Sequence, residues 1–186
     1  MRGRLVPLLC AIVGVAVVAL LVYGLTQQGT SRALDEAIAA GRTPAAPDAT
    51  RALPVLNGVP APTASLANWR GHVVIVNFWA SWCNTCAAEV SYLERAQRQL
   101  TSSGAGTVLG VDYKDVGSRA VGYASAHGLT FPNLRDLDGS FAGVFGTDAL
   151  PETFVLDSRS NVVALMRGPV LDQAWLTRAI AKAERA

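Results

Sequence analysis

The feature that most constrains the fold is an apolar run that leads directly into a pair of cysteines. Residues 72–80 are almost continuously apolar and rich in β-branched side chains, a pattern typical of a strand buried on both faces of a sheet. Cys83 and Cys86 follow at once, and apolar residues then recur at helical spacing as far as Leu100. The segment is therefore predicted to form a strand, a turn that holds both cysteines, and an amphipathic helix.

The rest of the C-terminal part alternates between strand and helix patterns. Its predicted elements are a strand at 107–112, a helix at 116–127, a hairpin with strands at 153–157 and 162–167, and an amphipathic helix at 171–184. This order predicts an α/β fold in which a mixed central sheet is flanked by helices.

Composition narrows the classes of function. Hydrophobic residues make up 51% of the chain and charged residues 16%, so a packed core is expected and global disorder is not. The formal net charge is +2, and basic residues form no long run and do not alternate with aromatic ones. A nucleic-acid-binding protein normally carries such a basic footprint, and this class of function is therefore disfavoured.

The N-terminus has the pattern of a membrane anchor. Residues 1–4, with two arginines, precede an uncharged apolar run at 5–25, which as a helix would span about 30 Å, the thickness of a hydrocarbon core. The positive-inside rule places residues 1–4 in the cytoplasm and the rest of the chain on the exported side. A cleaved signal peptide is the alternative, but its apolar region is usually shorter. Residues 26–53 are then predicted to be a tether, and 54–186 the folded domain.

The two cysteines are predicted to exchange disulfides. Residues three apart on a helix lie one turn apart on one face, so the sulfurs can form a disulfide. Cys83, at the predicted helix N-terminus, would be the nucleophilic thiolate, and Cys86 the resolving thiol. A permanent disulfide and half of a metal site are the alternatives. His72 and His127 lack zinc-ligand spacing to the pair, so no metal or cofactor is expected beside the redox-active cysteines.

Three stretches of the chain resemble a known family. Residues 77–89 resemble the active-site segment of the thioredoxin-like proteins of the TlpA, ResA and CcmG (DsbE) group, and residues 111–115 and 145–157 resemble the CcmG branch most closely. The likeness covers residues 54–185, and the group usually has an N-terminal anchor. The resemblance implies a thioredoxin fold preceded by a transmembrane helix.

The resemblance also implies roles for residues around the cysteines. Pro151 matches the cis-proline opposite the cysteines, although a proline that starts a strand is ordinarily trans, and Trp82 precedes the first cysteine. Glu89 and Glu152 match acidic positions around the site. A carboxylate near Cys83 would raise the pKa of its thiol, which suits a reductant. Otherwise Glu89 would be a solvated helix residue and Glu152 a surface charge on a loop.

The function implied by the resemblance is reduction of the haem-attachment cysteines of apocytochrome c during cytochrome c maturation, with a membrane electron donor restoring the dithiol. The chain would be a single-pass protein of the cell membrane. Its domain would lie on the extracytoplasmic face, that is, the periplasmic or outer side. Asn84 departs from the proline that the CcmG branch commonly has between its cysteines. The alternatives are a general reductant or oxidant of exported proteins, such as copper-centre assembly factors, and a metal-delivery module. The latter needs a histidine or methionine near the cysteines, and Met166 is the only methionine after Met1.

Overall fold

A computed structural model of the protein describes residues 13–20 and 33–186. Within these two ranges no helix is both long enough and apolar enough to cross a bilayer. The predicted N-terminal anchor at 5–25 lies mostly outside the described residues, which include only its part at 13–20, a helix.

One mixed sheet organises the described part of the chain. Its seven strands are β1 (Leu53–Asn57), β2 (Thr63–Ala64), β3 (Val73–Trp79), β4 (Gly106–Tyr113), β5 (Asn133–Asp136), β6 (Glu152–Leu156) and β7 (Val162–Arg167), in the order β2-β1-β5-β4-β3-β6-β7. Strands β3, β4 and β5 are parallel to one another, and the remaining neighbours are antiparallel. The predicted mixed sheet is confirmed.

Helices cover both faces of this sheet. They are α1 (Val90–Ser103), α2 (Gly117–Ala126), α3 (Ser140–Val144) and α4 (Gln173–Arg185), with short 3₁₀ helices at Leu66–Trp69 and Cys86–Glu89. Side chains of α1 and α4 pack against Ile75 on one face, whereas Phe141 of α3 packs against Phe78 on the other. Because successive residues of a strand point to opposite faces, β3 is buried by both layers.

The predicted strand and helix around the cysteines are confirmed, with one difference at the helix start. All seven side chains of β3 are buried, as its continuous apolar pattern indicates. The α-helix, however, begins at Val90, and the 3₁₀ helix Cys86–Glu89 precedes it. Cys83 therefore lies in the turn before the helical segment. Tighter 3₁₀ geometry is common where a helix begins, and the 3.6-residue pattern does not distinguish it.

Residues 33–46, which we call the strap, lie against the domain although the sequence predicts a tether there. Residues 33–39 are helical, and the buried side chains of Leu34 and Ala46 join the core on the Phe78 face. The backbone N–H of Val162 donates to the carbonyl of Pro44 at 2.7 Å, and Arg167 pairs with Asp35 at 2.6 Å. The strap thus pairs with the start of β7.

We predict that the strap contributes to the stability of the domain. Replacing Leu34 by alanine removes a buried side chain from the core and should lower the free energy of unfolding by about 2 kcal/mol, measured by urea denaturation of the oxidised protein. Glu36→Ala, an exposed position in the same helix, is the matched control and should change it by less than about 0.5 kcal/mol. Equal effects of both substitutions would mean that strap packing adds no stability.

Candidate active site

The two cysteines lie where β3 ends. Cys83 and Cys86 are joined by a disulfide, with their Cα atoms 5.5 Å apart. The backbone N–H of Cys83 donates to the carbonyl of Ala80, and that of Cys86 donates to the carbonyl of Cys83. These two turns follow β3 directly. Cys83 is 7% exposed and Cys86 2% exposed, so the first cysteine is the more accessible of the two, as predicted.

A carboxylate from the next strand–helix connection anchors the start of the cysteine turn. Asp115 accepts a hydrogen bond from the backbone N–H of Ser81 at 2.6 Å and one from that of Val116 at 2.7 Å. Arg135 donates to the carbonyl of Asp115 at 2.9 Å. Trp82, the next residue, is 52% exposed beside the ring of Tyr113. The sequence reasoning did not single out Asp115 as part of the site.

Pro151 lies on the neighbouring loop, at the start of β6. The peptide bond between Leu150 and Pro151 is cis. Thr85, between the two cysteines, donates from its hydroxyl to the carbonyl of Leu150 at 3.5 Å. The backbone N–H of Gly168 donates to the carbonyl of Pro151 at 3.0 Å. The proline loop is therefore in direct contact with the cysteine turn.

Glu89 is a buried carboxyl group and not a solvated helix residue. It is 1% exposed and ends the 3₁₀ helix that Cys86 begins. Its carboxylate accepts hydrogen bonds from the side chain of Asn77 at 2.7 Å and from the backbone N–H of Val170 at 2.8 Å. Burial raises the pKa of Glu89 to about 7, although these two hydrogen bonds oppose the rise. Glu89 therefore changes its charge near neutral pH.

Glu152 lies on the opposite face of the sheet from Glu89. In the antiparallel pairing of β3 with β6, Glu152 is the partner of Phe78, whereas Thr153 is the partner of Asn77. Since alternate residues face opposite sides, Glu89 and Glu152 are separated by the sheet. Glu152 is 2% exposed and bound by the guanidinium of Arg167. Burial raises the pKa of Glu152, and the charge of Arg167 counteracts the rise.

Polar residues inside the sheet complete the surroundings of the cysteines, and sequence reasoning missed them. Asn77 donates to both Glu89 and Thr153, although it lies within an apolar strand. Asp112, 1% exposed, accepts from Arg135 at 3.3 Å. Burial and the nearby carboxylate of Asp115 raise the pKa of Asp112 to about 7, against the effect of Arg135. A polar residue interrupting a buried strand pattern is the signal that would have identified both positions.

This arrangement can perform thiol–disulfide exchange. The two cysteines of the disulfide share a turn that needs little movement to open or close, and Cys83 is the more exposed of the two residues. Cys83, Cys86, Trp79 and Ala80 form an apolar cluster with two alanines of α2, which keeps water from the inner sulfur. The buried carboxyl of Glu89 can hold or release a proton next to this cluster.

Comparison with known proteins agrees with this geometry. Residues 40–183 match the model of the Redoxin family. The thiol:disulfide interchange protein DsbE homolog of Paracoccus denitrificans is 36% identical over 115 residues, 61% of this chain and 61% of that protein. The thiol:disulfide interchange protein HelX of Rhodobacter capsulatus is 29% identical over 151 residues, 81% of this chain and 80% of that protein.

Solved structures share the architecture. A secreted thiol-disulfide isomerase from Corynebacterium glutamicum superimposes with a TM-score of 0.65 at 25% sequence identity, over 77% of this chain and 86% of that one. The predicted thioredoxin-like α/β fold is thereby confirmed. The chain spans less than two thirds of the length of the Paracoccus relative. The match to the family model covers most of the folded domain, and the chain therefore belongs to the Redoxin family.

Proposed function

We propose that this protein is a thiol–disulfide oxidoreductase that reduces disulfides in protein substrates. The observation that carries the proposal is the Cys83–Cys86 disulfide at the end of β3, in contact with the loop of the cis-proline Pro151. Relatives named thiol:disulfide interchange proteins support it. No metal or other cofactor is needed for the reaction, since the cysteine pair itself carries the two electrons.

The reaction begins with the pair in its dithiol form. The thiolate of Cys83 attacks one sulfur of the substrate disulfide, and the substrate's other sulfur leaves as a thiolate that takes up a proton. Cys86 then loses its proton and attacks Cys83, which releases the second substrate sulfur and closes the Cys83–Cys86 disulfide. Two electrons have passed from the protein to its substrate. A thiol-reducing membrane donor must return them before the next cycle.

The carboxylates are proposed to set the direction of exchange. When Glu89 is ionised, its negative charge opposes formation of a thiolate in the adjoining cluster and favours the disulfide form. A pair that favours its disulfide form is a better electron donor. Glu152 is proposed to have the same kind of effect, weakened because Arg167 neutralises its charge. Trp82, exposed beside Cys83, offers an apolar surface for the substrate.

The proposed substrate is apocytochrome c, whose haem-attachment cysteines must be reduced before haem is joined. The likeness of residues 77–89, 111–115 and 145–157 to the CcmG branch supports this choice, as do the DsbE and HelX relatives. We further propose that residues 5–25 anchor the chain in the cell membrane, with the domain on the extracytoplasmic face.

We predict that a Cys86→Ser variant forms a stable mixed disulfide with a substrate peptide. The full-length variant would be incubated with an oxidised Cys-x-x-Cys-His peptide, and the covalent adduct at Cys83 measured by mass spectrometry. Without the resolving thiol the adduct should accumulate, whereas the matched Cys83→Ser variant should form none. A peptide of equal length that lacks the haem-attachment pattern should react severalfold more slowly. Equal rates with both peptides would contradict selectivity for apocytochrome c and support a general reductant.

We predict that the cysteine pair has a reducing potential. Equilibration of the full-length protein with glutathione buffers should give a value nearer to that of thioredoxin, about −270 mV, than to that of the strong oxidant DsbA, about −120 mV. A value near the oxidant end would contradict the proposed reductase and point to a disulfide-forming enzyme.

We predict that Glu89 makes the pair more reducing only above about pH 7. Because burial raises the pKa of Glu89 to about 7, the side chain is neutral at pH 5.5 and charged at pH 8. Glu89→Gln should therefore match the wild type at pH 5.5 and be about fivefold more oxidising at pH 8, in the equilibrium constant with glutathione. Loss of the difference at pH 8 would show that Glu89 does not act on the cysteines.

The control for this experiment is Glu94→Gln. Glu94 is a buried carboxylate on α1 that accepts two hydrogen bonds from Thr130 at 2.7 Å, away from the cysteine turn. Its substitution removes a comparable charge and should leave the redox equilibrium unchanged at both pH values.

A further inference from the structure

The hydroxyl group of Thr85 lies between two possible partners. Its Oγ1 is 3.7 Å from the Sγ of Cys83 and 3.5 Å from the carbonyl oxygen of Leu150. Both distances are long for their type of hydrogen bond, so the hydroxyl is held tightly by neither. A threonine hydroxyl has one proton to donate, and it can serve only one of these acceptors at a time.

We propose that Thr85 is a catalytic hydrogen-bond donor that binds the Leu150 carbonyl in the disulfide form and the Cys83 thiolate in the dithiol form. A disulfide sulfur is a weak acceptor, so in the oxidised protein the carbonyl is the better partner. A thiolate carries a full negative charge, and hydrogen bonds to ionised acceptors are about twice as strong as neutral ones. Reduction therefore reverses the order of the two acceptors.

Several backbone N–H groups around the cysteines already have acceptors. The N–H of Cys83 donates to Ala80, and the N–H of Cys86 donates to the carbonyl of Cys83. Pro151, on the loop that faces the cysteines, has no N–H to offer. The N–H of Val170 is bound to Glu89. Thr85 is thus placed to supply a donor at the reacting sulfur that these backbone groups do not.

Charged and titratable groups surround the cysteine turn, and they include the cation Arg135 beside Asp115. Glu89 adjoins the cysteine cluster from the 3₁₀ helix, Asp115 binds the backbone of Ser81, and Tyr123 of α2 stacks on Trp79. Glu152 is covered by Arg167 on the other face. Ionised carboxylates here repel a negative sulfur. A neutral donor such as Thr85 stabilises that sulfur without adding a positive charge.

The proposal gives the redox state a structural consequence. Reduction adds two electrons and two protons to the disulfide, which become the thiols of Cys83 and Cys86, and Cys83 then releases its proton to water. The Thr85 hydroxyl turns to the new thiolate, and the carbonyl of Leu150 loses its donor. The loop that carries Pro151 is thereby released from the cysteine turn when the protein is ready to react. The role of this loop release rests on the proposed exchange reaction. The hydrogen bond from Thr85 to the Cys83 thiolate does not depend on that reaction.

The test compares Thr85→Val, which keeps the shape and removes the hydroxyl, with Thr85→Ser, which keeps the hydroxyl. The thiolate content of the reduced full-length protein would be followed from pH 4 to 9 by absorbance near 240 nm, and by the rate of alkylation of Cys83 with iodoacetamide, resolved from Cys10 and Cys86 by mass spectrometry of peptides. In Thr85→Val the thiolate fraction at a given pH in the titrating range should fall by about three- to tenfold, while Thr85→Ser should stay within about twofold of the wild type. Thr85→Ala should behave as Thr85→Val.

The matched control is Thr177→Val. Thr177 is exposed on α4, and its hydroxyl donates to the carbonyl of Gln173 at 2.9 Å. The Thr177→Val variant therefore loses an equivalent hydroxyl outside the site. An unchanged thiolate fraction in Thr85→Val, or an equal fall in Thr85→Ser, would overturn the proposal. The readout requires no protein substrate. A failed hydrogen bond can therefore be told apart from a failed reductase, which would still show the predicted thiolate changes but form no mixed disulfide.

Discussion

The burial of β3 on both faces is the constraint on which the rest of the structure depends. One face, around Phe78, is covered by α3 and the strap, and the other, around Ile75, by α1 and α4. A strand that must be covered twice forces the chain to place layers on both sides of the sheet. Strand β3 ends at Trp79, and there the cysteine turn begins. The same requirement that builds the core thus brings the disulfide to its border.

The buried carboxyl groups of Glu89 and Glu152, on opposite faces of the sheet, have different kinds of partner. Glu89 is held by neutral donors, a side-chain amide and a backbone N–H, and burial keeps its pKa near neutrality. Glu152 is held by the permanent positive charge of Arg167. Because desolvation of a carboxylate is costly unless a cation offsets it, Glu89 is better suited than Glu152 to change its charge as conditions change. The resemblance treated the two acids alike, and the tertiary structure separates them.

Segments with a strong periodic pattern were predicted correctly, whereas short strands and the strap were not. The strand at β3, the helix after it, the hairpin of β6 and β7 and the final helix all occur as predicted. Strands β2 and β5 have two and four residues, too few for a recognisable alternation. The strap was interpreted as a tether because its Pro- and Ala-rich composition is typical of linkers. One of its contacts is with Arg167, 132 positions from Asp35, and local composition carries no information about such a partner.

The sequence by itself determined that Cys83 and Cys86, three apart between a buried strand and a helix, can form a disulfide. This follows because spacing sets local backbone geometry, and local geometry sets the distance between the sulfurs. Only the tertiary structure decided which groups surround that disulfide. Thr85 meets the carbonyl of Leu150 across 65 positions, and Glu89 meets the N–H of Val170 across 81. Burial, charge compensation and hydrogen-bond partners are set by which distant segments pack together, and the order of residues along the chain does not reveal that packing.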